Sequence, residues 1–114
     1  MSDTDGKIAW FEIAGENGDR ARTFYSGLFG WEFTPFEEGG DYQTSQAAGG
    51  AVYTGPGGAP SVLVYFGTSD IDASVAKVRE LGGEGGDPQP IPNVGRFAIC
   101  SDTEGNSFGL FQAG

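Results

Sequence analysis

Residues 62–83 read VLVYFGTSDIDASVAKVRELGG, and this stretch decides the fold. Val62 to Phe66 is a β-branched and aromatic run of strand length. Ser69 or Asp70 offers a helix-capping oxygen, and Ile71, Val75, Val78 and Leu81 then recur at helical spacing. Gly82-Gly83 ends that helix. Counting back from Leu63 to Trp10, an offset of 53 residues, the same order appears. Lys7 to Ile13 reads as a strand in which Ile8, Trp10, Phe11 and Ile13 form a run buried on both faces. Asn17-Gly18-Asp19 supplies capping oxygens, and Ala21, Phe24, Tyr25, Leu28 and Phe29 make one apolar stripe over about three turns. Gly30 stops it. At this offset Asp19 also falls on Asp72, Leu28 on Leu81 and Gly30 on Gly83.

Each helix is followed by predicted strands. They span 31–36, 41–45 and 48–54 in the first half, and 84–89, 96–100 and 107–112 in the second. Gly39-Gly40, Gly55 to Pro60 and Asp102 to Asn106 are the turns between them. The reading is therefore α+β: one domain over 1–114 made of two β-α-β-β-β units, at about 7–54 and about 61–112, joined by a Gly-Pro-Gly-Gly-Ala-Pro linker at 55–60. A sheet with one helix on its outer face needs cover on its inner face, so paired curved mixed sheets around a cavity are expected.

Sixteen acidic residues against six basic ones give a net charge of −10, which repels nucleic acid and anionic lipid and makes both poor partners. Nine Phe, four Tyr and two Trp suit a packed core. At 114 residues the chain is small enough to gain from dimerisation, and a homodimer is expected. Cys100 is the single cysteine and reads as a small buried hydrophobe in a strand. Met1-Ser2-Asp3-Thr4-Asp5 is acidic and lacks an apolar run, so no signal peptide is expected; with no membrane-spanning run, a cytoplasmic protein follows. There is no histidine, and no charged side chain lies between Tyr42 and Ser69. Nucleophilic serine or cysteine chemistry therefore lacks its usual base. The Gly-rich segments 55–58 and 82–86 lack the following Lys-Ser or Lys-Thr of a phosphate cradle.

Trp10-Phe11-Glu12-Ile13, Arg20-Ala21, Phe24-Tyr25, Leu28-Phe29-Gly30-Trp31, Asp70-Ile71-Asp72-Ala73, Leu81-Gly82-Gly83, Gly95-Arg96 and Asp102-Thr103-Glu104-Gly105-Asn106 stand in an order and spacing that resembles the vicinal oxygen chelate superfamily. That superfamily contains glyoxalase I, bleomycin-resistance proteins and extradiol dioxygenases, and the resemblance covers about residues 7–112. It implies metal ligands on the first and last strands of each unit. The implied first-strand histidine falls on Trp10 and its repeat mate on Leu63. The final-strand glutamate falls on Gly109, and the fourth-strand ligand falls between Gly50 and Tyr53. None of these positions carries a metal donor other than a tyrosine, so no metal or other cofactor is expected.

Strand alternation places Trp10, Tyr42, Tyr53, Leu63, Tyr65 and Phe111 on an inner face suited to a flat, largely uncharged organic molecule. Arg96 is read either as a clamp for a ligand carboxylate or as an ion-pair partner. Glu12 is read either as a ligand-facing acid or base or as a solvated or Arg-paired carboxylate. The function expected is metal-independent binding of a small aromatic or hydrophobic ligand, similar to drug sequestration by the bleomycin-resistance branch. The alternative is a metal-free lyase or isomerase using Glu12 or a tyrosine on a hydrophobic metabolite. A collapsed, purely dimerising scaffold is the third reading.

Overall fold

A computed structural model describes residues 5–114. The sequence reading of residues 1–4 lies outside the described residues. The chain divides into two compact units, Trp10–Val62 and Leu63–Gly114 together with the described residues up to Ala9. The first is a β-α-β-β-β arrangement; the second follows the same order with one of its later strands split in two.

The first unit runs β1 (Ile8–Gly15, shared at its start with the other unit), α1 (Gly18–Phe29), β2 (Thr34–Pro35), β3 (Gln43–Ser45) and β4 (Gly50–Thr54). Its strands lie in the order β2-β3-β4-β1, with β1 parallel to β4 and the other pairs antiparallel. The Asn17 side chain caps α1 by accepting from the Arg20 amide. Gly30 closes the helix at φ 74°, a left-handed conformation that costs a glycine little.

Two expectations for this unit are corrected. The stripe Ala21, Phe24, Tyr25, Leu28 and Phe29 does not form a buried face: Phe24 is 62% exposed, and Leu28 and Phe29 are 58% exposed. The helix docks instead through Gly18 and Arg22, its two buried residues. A Cβ on Gly18 would lie 2.9 Å from the Thr54 amide nitrogen, so only glycine permits this approach. Arg22 Nη1 donates to the carbonyls of Asp41 (2.7 Å) and Val52 (2.9 Å), and Nη2 pairs with the carboxylates of Asp19 and Asp41. A polar anchor thus does the work expected of a greasy stripe. The strand expected over 31–36 shrinks to Thr34–Pro35, because Trp31 and Phe33 belong to a ring cluster with Phe11, Tyr25 and Phe29.

The second unit runs β5 (Ser61–Gly67), α2 (Ile71–Glu80), β6 (Glu84–Gly85), β7 (Gln89–Ile91), β8 (Gly95–Ser101) and β9 (Ser107–Ala113). Its order is β5-β9-β8-β6, with β7 also pairing β8. As in the first unit, first and last strands are parallel, with Tyr65 opposite Gly109. Asp70 caps α2 by accepting from the Ala73 amide, whereas Ser69 bonds Asp5. Ile71 and Val75 enter a core with Ala98, Cys100 and Leu110, flanked by Phe66, Val78 and Phe108. Leu81 is 66% exposed and lies past the helix end, so it drops out of the expected stripe. The strand expected over 84–89 breaks into β6 and β7 around Gly86, whose missing Cβ leaves room for the Ile99 carbonyl. Asp102 accepts from the Glu104 and Asn106 amides and makes the turn before β9.

Candidate functional site

In the first unit, parallel pairing sets Glu12 opposite Ala51 and Ala14 opposite Tyr53. Alternation then places Trp10, Glu12 and Tyr53 on one face of the sheet. Phe11, Ile13, Val52 and Thr54 take the other face, where Thr54 Oγ1 accepts from the Gly18 amide at the start of α1. Tyr42 enters from the residue before β3, where the Phe36 amide bonds its carbonyl at 2.9 Å.

Three side chains join on this face. Trp10 Nε1 donates to the Tyr42 hydroxyl at 2.9 Å, and that hydroxyl donates to Glu12 Oε2 at 2.6 Å. The direction is forced, since an indole can only donate and a carboxylate only accepts. The Tyr42 ring meets the Tyr53 ring at 5.0 Å and 54°, and Phe36 stands edge-on to Tyr42 at 6.1 Å and 79°. Burial pushes the Tyr42 phenol well above its usual range, and its hydrogen bond to Glu12 adds to the shift. Burial also raises Tyr53, with the Glu12 charge contributing. Both phenols therefore stay neutral at physiological pH.

In the second unit, Leu63 and Tyr65 share a face of β5, and register carries that face to Phe111 on β9 and Phe97 on β8. The Tyr65 and Phe97 rings meet edge-on at 6.5 Å. Tyr65 is 8% exposed and lies across Gly109, where an added Cβ would fall 2.1 Å from the ring. Arg96 is not on this face. It stands opposite Gln112, whose side chain accepts from the Ile71 amide at the start of α2. Arg96 itself grips Asp72 with two bonds of 2.9 and 3.0 Å. Of the two roles the sequence left open for Arg96, the ion pair is the one present.

Within the first unit, then, the fold brings together Trp10, Glu12, Tyr42 and Tyr53. Leu63, Tyr65 and Phe111 share a face of the second. Sequence reasoning missed Phe36, Phe97 and Arg22. Phe36 sits one step beyond the pairing of Pro35 with Gln43, and Phe97 alternates with Arg96, so strand register could have found both. Arg22 carried no such signal in a helix judged by its apolar residues.

The positions that the resemblance assigns to a metal do not fit one. Trp10, Leu63 and Gly109 have no ligand atom, and the Tyr65 ring bars a longer side chain at 109. Phe11 likewise lies over Gly50, at 2.5 Å from an added Cβ. Among the described residues no three His, Cys, Asp or Glu side chains come together to hold an ion. No helix among them is long and apolar enough to cross a membrane.

A family model for a glyoxalase-like domain matches residues 11–111. CFP32 of Mycobacterium tuberculosis, provisionally named a glyoxylase, is 33% identical over 115 residues, covering 94% of this chain and 44% of that protein. The anthracycline biosynthesis protein DnrV of Streptomyces peucetius is 31% identical over 131 residues, covering 96% and 48%. The chain spans less than half the length of these relatives. Among solved structures, a Streptomyces coelicolor methylmalonyl-CoA epimerase in complex with 2-nitronate-propionyl-CoA superposes with TM-score 0.65 at 22% identity, covering 94% of each chain. The Mycobacterium tuberculosis methylmalonyl-CoA epimerase gives TM-score 0.68 at 14% identity, covering 100% of this chain and 93% of that one. At such identities the structural likeness establishes the fold alone.

Proposed function

The chain belongs to the glyoxalase-like domain family, and from that premise we propose that it binds a small, flat aromatic molecule on the Trp10–Glu12–Tyr42–Tyr53 face without a metal ion. One observation carries the reading. Where the resemblance calls for a metal-binding histidine, Trp10 stands instead, and its N–H begins a closed chain through Tyr42 to Glu12. That chain holds aromatic surfaces in fixed orientation, which lowers the entropy lost when a flat ligand stacks on them. The relatives named for anthracycline biosynthesis support a fused-ring ligand class, since anthracyclines are flat fused-ring molecules. Leu63, Tyr65 and Phe111 are proposed as an apolar face of the second unit taken by itself, and Arg96 is left out because Asp72 engages it.

The test is titration with neutral fused-ring aromatics, following thermal melting and looking for product by chromatography. Binding to the native state raises the melting temperature by mass action. A rise without product supports sequestration; no rise with any member of the panel overturns it.

A second reading rests on the 2.6 Å bond between Tyr42 and Glu12. It makes Glu12 an acid or base acting on a hydrophobic metabolite, with Tyr42 relaying the proton. Product formation that disappears in Glu12→Gln supports it. A homodimer is also part of the proposal, because two copies together approach the length of one relative. Sedimentation at twice 11.9 kDa supports the dimer, and 11.9 kDa removes it.

A further inference from the structure

We propose that the ligand carries a neutral carbonyl oxygen at the edge of its ring system, and that the Tyr53 hydroxyl is the donor that reads it. This rests on the binding reading above and narrows the ligand class from any flat aromatic to an aromatic ketone.

Polar hydrogens are few on the Trp10 face of the first unit. Trp10 has one, and Tyr42 accepts it. Tyr42 has one, and Glu12 accepts it. Register adds Thr44, opposite Ala51, and Thr34, opposite Thr44. Thr44 donates to the Thr34 carbonyl at 3.4 Å. Tyr53 differs from these neighbours. Among the described residues no group accepts its hydrogen, and Glu12 acts on it through charge alone. Its ring is seated against Tyr42 at 5.0 Å. No buried side-chain oxygen among the described residues lacks a hydrogen-bond partner, so the unpartnered Tyr53 hydroxyl reaches the surface of its unit. The ring is held, and its O–H is accessible and uncommitted. Burial and the Glu12 charge keep the phenol protonated, so it remains a donor. Thr34 offers the other uncommitted hydroxyl, but from β2, two strand spacings or roughly 10 Å away.

Charge decides what kind of acceptor fits. The unit Trp10–Val62 contains two cations, Arg20 and Arg22. Both belong to α1, which docks on the opposite face through Gly18 and Thr54. Residues 43–68, which include all of β3 and β4, contain no charged side chain. A ligand carboxylate would therefore meet no cation here, and it would face Glu12 and a chain carrying −10. A ketone oxygen needs only one neutral donor, which Tyr53 supplies.

The experiment compares two flat three-ring probes, fluorene and 9-fluorenone, which differ by a CH₂ against a C=O. Affinities are measured at pH 7 for the wild type, Tyr53→Phe and Thr34→Val. Tyr53→Phe is expected to weaken fluorenone by about fivefold and fluorene by less than about twofold, since the ring remains and one neutral hydrogen bond is lost. Thr34→Val changes neither affinity. The hydroxyl removed from Tyr53 has no protein partner, so the variant melts with the wild type when no probe is present. The carbonyl stretch of bound fluorenone, read by infrared difference spectroscopy, lies lower in the wild type than in Tyr53→Phe. Equal losses for the two probes in Tyr53→Phe, or no loss for either, overturn the carbonyl inference and leave aromatic binding standing. A loss of fluorenone confined to Thr34→Val overturns the assignment to Tyr53. Binding of neither probe to the wild type sinks the underlying reading as well.

Discussion

The Tyr42 hydroxyl donates to Glu12 Oε2 at 2.6 Å while accepting from Trp10 Nε1 at 2.9 Å. This phenol links an indole to a carboxylate on one face of the first unit's sheet, and it organises the candidate site. Tyr42→Phe removes both bonds with almost no change in shape. It leaves a half-buried indole N–H and a carboxylate short of a partner, which costs about 1–2 kcal/mol. Urea unfolding checks the loss of stability, and titration with a neutral fused-ring probe shows weaker binding. An unchanged unfolding midpoint would mean the chain contributes nothing.

Tyr65 lies across Gly109 so closely that a Cβ there would overlap the ring. Gly109→Ala is expected to destabilise by about 1–3 kcal/mol, as overpacking does. Tyr65→Leu in the same chain recovers part of that loss, so a double-mutant cycle gives a coupling of at least about 0.5 kcal/mol. Additive effects would show that the ring does not press on this strand.

Asp41 holds Arg22 in place, and its carboxyl is kept below the usual carboxylate range, chiefly by the Thr54 amide and then by Arg22. A depressed carboxylate stabilises the fold above its unfolded value of about 3.9 and loses that contribution as pH falls through the lower folded value. Urea midpoints followed from neutral pH to about pH 3 therefore fall. They fall less steeply in Asp41→Asn, which is also less stable at neutral pH. Some slope persists, because Asp72 and Asp102 are shifted in the same direction. Parallel curves for the two proteins would contradict the role given to Asp41.

Phe24 and Leu28 look like core residues in the sequence and are more than half exposed in the fold. Phe24→Ser and Leu28→Gln are expected to change stability by no more than about 0.5 kcal/mol each, as surface substitutions do. Losses of about 2–5 kcal/mol, typical of core truncation, would restore the stripe that the sequence implied.

Much of the fold was legible because its signals are local. Asn17, Gly30 and Asp70 mark helix ends by chemistry that operates within one turn, and all three do so here. The 53-residue offset reported the duplication because corresponding strands face equivalent environments, and each unit closes its first strand parallel to its last. Strand alternation put Trp10 and Tyr53 on one face of β1 and β4, and Leu63, Tyr65 and Phe111 on one face of β5 and β9, as the register does. What stayed hidden depends on partners distant in sequence. Arg22 anchors α1 by reaching the carbonyls of Asp41 and Val52, which no periodicity of the helix announces. Arg96 could be assigned to Asp72 only once register put it on the side of Gln112. The Trp10–Tyr42 bond spans 32 residues and needs the β3–β4 hairpin to bring it together.

The central claim is that this face binds a flat aromatic ligand without a bound ion. Isothermal titration of one fused-ring probe into chelator-treated protein, repeated after adding Zn, Ni or Mn, tests it most directly. The account predicts the same affinity and heat with and without metal, and no product. Binding that appears only after a metal is added would contradict it.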